Sequence, residues 1–98
     1  MNAIFVEIVT SPNCPYSPKA IKLAKELVSK IRFPLILKEI SLATEEGLTR
    51  AGQFEITATP TIAINGRVAF VGVPTKNDLL AAIMEIREKE SETDSSYF

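Results

Sequence analysis

Histidine is absent from the 98 residues, and cysteine occurs once. Without histidine there is no imidazole to serve a cysteine nucleophile of the protease kind. A single cysteine cannot build an internal disulfide framework, and with no histidine beside it a zinc site lacks a ligand set; neither a metal nor a bound cofactor is expected. An excess of charge of one sign is missing as well. The 11 basic and 12 acidic residues leave a net charge of −1, so neither nucleic acid nor an anionic membrane is expected as a partner. No apolar run is long enough for a membrane span. The opening Met1-Asn2-Ala3-Ile4-Phe5-Val6-Glu7 has no basic n-region, and Glu7 interrupts it, so the cytoplasm is the expected compartment.

What the chain does contain is the composition of a soluble globular protein, 46% hydrophobic and 23% charged. Its length suits one domain with a single modest core, expected over residues 1–88 and as a monomer. Residues 89–98 are polar and acidic and are expected to fray, with Tyr97 and Phe98 more mobile than docked. Ile4, Val6 and Ile8 alternate with Phe5, Glu7 and Val9, and apolar residues on both faces indicate a central strand covered by helices on each side. Glu7 is the exception and is expected to reach solvent or a lysine. Ile21, Ala24, Leu27, Val28 and Ile31 recur at helical spacing, predicting a helix from Pro15 or Ser17 to Ile31, ended by Arg32-Phe33-Pro34. Leu35 to Ile40 reads as a second strand, parallel to the first because a long helix crosses between them. Thr44 followed by Glu45 and Glu46 predicts an N-cap and a helix through Leu48, Ala51 and Phe54.

The cysteine stands in Ser11-Pro12-Asn13-Cys14-Pro15-Tyr16-Ser17-Pro18, between the first strand and the first helix. Pro15 suits position N1 of a helix, which places Cys14 at its mouth. First-turn N–H groups and the positive end of the helix dipole then favour the thiolate, the form that attacks disulfides. Lys19 is close enough to add to this. Ser17 can donate a hydrogen bond to the thiolate, but its hydroxyl neither ionises near neutral pH nor attacks a disulfide. Further on, Thr57-Ala58-Thr59-Pro60-Thr61 leads into Ile62-Ala63-Ile64. Asn65-Gly66 then separates that run from Val68-Ala69-Phe70-Val71, a hairpin with a type I′ turn. Thr75, with Asp78 three residues on, caps a last helix whose stripe is Leu79, Leu80, Ile83 and Ile86.

In this order, β-α-β-α-β-β-α, with Cys14-Pro15-Tyr16 opening the first helix and Thr59-Pro60 opening the third strand, the chain resembles the thioredoxin fold. It looks most like the small thioredoxin/glutaredoxin-like proteins of prokaryotes, over Ile4 to Ile86. The resemblance implies an α/β fold with a four-stranded mixed sheet and helices on both faces. It makes Cys14 the attacking thiol, with Pro15 and Tyr16 beside it at the substrate. It makes Pro60 a cis residue, and Thr59 the residue whose backbone receives an extended substrate strand. The implied partners are protein disulfides, with a flavin-dependent disulfide reductase as electron donor.

Four places depart from the family's patterns. Ser11, and Gly72-Val73-Pro74 before the last helix, lack the charged groups by which glutaredoxins hold glutathione, so little glutathione preference is expected. Ile8 stands where thioredoxins carry a buried aspartate. Ser17 occupies the place of the resolving cysteine. It is either a natural monothiol motif or a cysteine-to-serine change in a dithiol parent, and the rest of the chain keeps the dithiol architecture. The sequence therefore reads as a thiol–disulfide oxidoreductase that stalls at the mixed disulfide. Its rival is a non-catalytic binding module of the same fold.

Overall fold

The first apolar run forms β1 (Ile4–Thr10), and both its edges are hydrogen-bonded. The structure, a computed structural model, describes residues 3–95, with side chains through residue 89. The other elements are α1 (Ser17–Val28), β2 (Leu35–Ser41), α2 (Glu45–Phe54), β3 (Thr61–Ile64), β4 (Arg67–Val71) and α3 (Lys76–Ser95). The four strands make one sheet in the order β2-β1-β3-β4. β1 runs parallel to β2, with Ile4 opposite Leu35 and Thr10 opposite Ser41. It runs antiparallel to β3, with Val6 opposite Ile64 and Val9 opposite Thr61. The mixed sheet and central first strand are those expected.

Because successive side chains on a strand point to opposite faces, β1 serves two cores. Ile4, Val6 and Ile8 join Ile62 and Ile64 against Ala20, Ala24 and Leu27 of α1 and Leu79 and Ile83 of α3. Each buried Ile, Val or Leu side chain there contributes on the order of 1.5–3 kcal/mol. The opposite face receives α2, and there Glu7 is buried with its side chain only 5% exposed. The expectation of solvent or a lysine is not met: its partner is the Arg50 guanidinium, through Nε at 3.0 Å and through Nη2. Burial of a lone carboxylate would be costly, and a bidentate arginine is the partner that offsets it. Arg50 is itself held by Gln53 Oε1 at 2.6 Å and lies over the Phe54 ring.

The local signals for α2 and the hairpin are realised. Thr44 Oγ1 accepts from Gly47 N at 3.0 Å, and Glu55 closes α2 in the left-handed region at φ 53°. Leu48 is 62% exposed, while Arg50, Ala51 and Phe54 are half-buried. Asn65 and Gly66 turn the hairpin at φ 50° and 83°, the positive values a type I′ turn requires. Asn65 also extends the β1–β3 pairing: its Oδ1 accepts from Phe5 N and its N–H donates to Phe5 O, both at 2.8 Å.

α1 begins at Ser17, one of the two expected starts, and ends earlier than expected. Ile31 is reached through short i→i+3 bonds, Lys30 N to Leu27 O and Ile31 N to Val28 O, so the regular helix stops at Val28. The last helix runs beyond Glu88 to Ser95, into the segment expected to fray. Its Glu, Lys and Arg residues are good helix formers, and an i,i+4 pair joins Lys89 to Glu85. Tyr97 and Phe98 lie outside the described residues.

Gly47 sits where α2 meets the end of β2. A Cβ there would fall 1.7 Å from the Ser41 carbonyl oxygen, whereas one at Gly52 would meet nothing within 4 Å. Gly52→Ala should therefore stabilise the fold by about 0.5–1 kcal/mol, and Gly47→Ala should cost about 1–3 kcal/mol. Urea unfolding of the two variants measures both, and equal effects would show that α2 does not approach Ser41 so closely.

Candidate active site

Two consecutive turns carry the chain from β1 into α1. Cys14 N donates to Ser11 O at 3.1 Å, and Ser17 N donates to Cys14 O at 3.3 Å. The second turn delays the helix. Tyr16 is its N-cap and Ser17 its first residue, so Pro15 is not at N1 as expected; Pro18 instead occupies the first turn. Proline suits either place, since neither needs an N–H for the helix ladder. Cys14 thus lies in the approach to α1 rather than at its cap.

The register of β1 and β3 brings the second conspicuous stretch to the same end of the sheet. Thr61 pairs with Val9 at the end of β1, and the residues before it, Thr59 and Pro60, face the Cys14 turn. The Thr59–Pro60 peptide is cis. Pro60 is buried, its carbonyl accepts from Gly72 N at 2.8 Å, and Thr61 Oγ1 donates to Ala58 O at 2.6 Å. The Cys14 thiol donates to Thr59 O at 3.2 Å. Among the site residues expected from the sequence, Ser17 and Thr59 are each in reach of Cys14, with Pro60 next to Thr59. Pro15 and Tyr16 stand outward, Tyr16 57% exposed.

Ser17 is only 4% exposed although it opens a surface helix. Its Oγ accepts from Ser11 N at 3.4 Å, which leaves its own O–H free to donate to sulfur. The Cys14 thiol is lowered from its ordinary value to about 7, first by the Ser17 hydroxyl and then by the Thr59 hydroxyl. The Tyr16 and Ser17 N–H groups add to this, and partial burial opposes it. Ionisation gives up the bond to the Thr59 carbonyl and gains these donors, which favour the anion. Lys19 takes no part in the shift: its Nζ lies 5.5 Å from the centroid of the Tyr16 ring. No group of three or more His, Cys, Asp or Glu suited to a metal occurs among the described residues, and no helix there is long and apolar enough to cross a membrane.

Two features of the site are not legible as function in the sequence. Val71 and Val73, 59% and 40% exposed, flank the Gly72 contact to Pro60 and leave an apolar rim beside it. A groove of about 730 Å³ runs from Cys14 along α1 toward β2. The spacing of Lys22 and Lys25 marks one helix side, but only the β1–β2 pairing shows that a groove lies there.

A lone thiolate facing a cis-proline at one end of a four-stranded mixed sheet defines the class of thioredoxin-fold thiol proteins. Residues 4–84 match the model of the Thioredoxin domain family. The thioredoxin of Methanocaldococcus jannaschii is 36% identical over 83 residues, 85% of this chain and 95% of that protein. A probable thioredoxin of Archaeoglobus fulgidus is 33% identical over 87 residues, covering 89% and 93% of the two chains. The chain belongs to the thioredoxin domain family. Among solved structures, a malarial protein superposes with a TM-score of 0.71 at 23% identity, over 86% of this chain and 97% of that one. The malaria parasite's thioredoxin-2, described as a component of its protein secretion machinery, gives 0.72 at 22% identity over 86% and 84%. At such identities the likeness is one of fold.

The hydrogen bonds around Cys14 give a direct expectation. Iodoacetamide alkylation followed against pH should show a midpoint near 7, and Ser17→Ala should move it upward, since the largest stabiliser of the anion is lost. Because the folded thiol ionises more readily than the unfolded one, its contribution to stability is present at alkaline pH and lost as pH falls through about 7. A midpoint in Ser17→Ala unchanged from the parent would remove Ser17 from this role.

Proposed function

We propose that this protein is a cytoplasmic, monomeric thiol–disulfide oxidoreductase acting on protein disulfides, with Cys14 as nucleophile and Ser17 in the place of the resolving cysteine. The single observation that carries the reading is the lowered Cys14 thiol, hydrogen-bonded by Ser17 and Thr59 beside a cis Thr59–Pro60 bond. An extended segment of a substrate protein pairs with the main chain at Thr59, in the manner of strand addition, and rests on the apolar rim of Tyr16, Val71 and Val73. The Cys14 thiolate attacks one sulfur of the bound disulfide. A new S–S bond forms to Cys14, the old one breaks, and the departing sulfur leaves as a thiolate with the electron pair.

The second half of the cycle needs another thiolate close to Cys14. In a dithiol parent a cysteine at position 17 supplies it and leaves an internal disulfide, which a flavin-dependent disulfide reductase returns to the dithiol. Serine holds the same place and the same hydrogen bond to sulfur, but its hydroxyl does not ionise near neutral pH. The chain as given therefore stops at the mixed disulfide, and exchange with solution thiols is left to release the substrate over minutes to hours.

With a protein disulfide such as insulin, the chain should accumulate as a covalent adduct that mass spectrometry detects and dithiothreitol removes. Ser17→Cys should release the adduct and raise insulin reduction by orders of magnitude, with little change in fold because one atom is exchanged. If Ser17→Cys leaves insulin reduction at background while Cys14 still alkylates rapidly, a monothiol role replaces the dithiol parent. If Cys14 alkylates at pH 7 no faster than a free model thiol, the protein is a binding module.

A further inference from the structure

The groove that starts at Cys14 is not used by the strand-addition reading: neither Thr59 nor Pro60 lines it. It lies between α1 and the edge strand β2, and its volume of about 730 Å³ is that of a small-molecule site. Pro18, Ile21 and the aliphatic stems of Lys22 and Lys25 make its α1 wall apolar. The two ammonium groups follow along the wall. Measured along the helix axis from Ser17, Lys22 is about 8 Å away and Lys25 about 12 Å. Two carboxylates also border the groove: that of Glu26 is engaged by Lys76 at 2.5 Å and lies in the field of Lys22, and Glu39 stands across on β2. One end thus presents a nucleophilic sulfur, the middle is apolar, and the far end of α1 carries positive charge.

We propose that this groove is a second substrate site, for small disulfides in which a short aliphatic chain joins the sulfur to a terminal oxyanion. The proposal rests on Cys14 being the disulfide-attacking thiol. The chain lies against Pro18 and Ile21, the oxyanion meets Lys22 and Lys25, and the sulfur is delivered to Cys14 from the side opposed to main-chain docking at Thr59. The Cys14 thiolate forms an S–S bond to the chain-bearing sulfur, and the other sulfur leaves as a thiolate with the electron pair. No further oxidant or reductant is needed, and one disulfide replaces another.

Having one cysteine, the chain allows this to be read without ambiguity. Pyridyl mixed disulfides of a six-carbon mercaptoalkanoate, of its neutral amide and of the matched alkylamine release thiopyridone as Cys14 reacts. At low salt the alkanoate should show saturation and exceed the amide about tenfold in second-order rate, with the amine slowest. Lys22→Glu/Lys25→Glu should reverse the order, while Arg32→Glu/Arg67→Glu, which changes net charge equally outside the groove, should preserve it. Three probes reacting at one rapid rate without saturation would overturn the groove site and leave the Cys14 reading standing. Reaction of all three no faster than a model thiol would overturn both. Discrimination seen only with an aspartate-bearing peptide disulfide, and not with the alkanoate, would assign the groove to protein substrates and overturn the small-ligand site.

Discussion

Every part of the site depends on how β1 is paired. Its two edges hold β2 and β3 in opposite senses, and its last residues, Val9 and Thr10, face Thr61 and Ser41. From this one end of one strand the chain enters the Cys14 turn on one side and meets the Thr59–Pro60 bond on the other. A slip of one residue in either pairing would exchange the faces of a strand, taking Ile4, Val6 and Ile8 out of the core and moving Thr59 away from sulfur. The aliphatic core and the chemistry are thus set by the same register.

In the proposed reaction the Ser17 hydroxyl helps one half and prevents the other. Buried at the start of α1, accepting from Ser11 N–H, it is left with a proton to give to Cys14. That proton stabilises the anion which begins an exchange. The same oxygen cannot become the second nucleophile that would end it. Thr59 works alongside, its carbonyl receiving the thiol and its hydroxyl supporting the thiolate.

How far the sequence foretold this depended on the distance over which each feature is decided. The Thr44 cap, the Asn65-Gly66 turn and the two-faced pattern of β1 are local, and each was realised as read. The start of α1 was left between Pro15 and Ser17, because Pro15 and Pro18 are equally acceptable near a helix N-terminus; the bond from Ser17 N to Cys14 O decides for Ser17 and takes Pro15 out of position N1. The partner of Glu7 is 43 residues away on α2, beyond the reach of any spacing rule. Lys22 and Lys25 share one side of α1, and only the neighbouring edge strand makes that side the wall of a groove. The meeting of Cys14 with Thr59–Pro60 was legible through the family resemblance, since residues 45 apart in sequence carry no local sign of contact.

At the end of the sheet away from the sulfur, Asn65 holds both backbone groups of Phe5. An Asn-Gly pair is also chemically fragile, because the glycine nitrogen can attack the asparagine side-chain carbonyl, closing a succinimide and releasing ammonia. In this fold that carbonyl is engaged by Phe5 N–H, and the ring can close only if the side chain first leaves the central strand. Chemical ageing of Asn65 should therefore follow opening of the hairpin, and the mass gain of its deamidation should appear in unfolded chains well before native ones. The bond that completes the pairing of β1 also works as a guard against the chain's own slow chemistry.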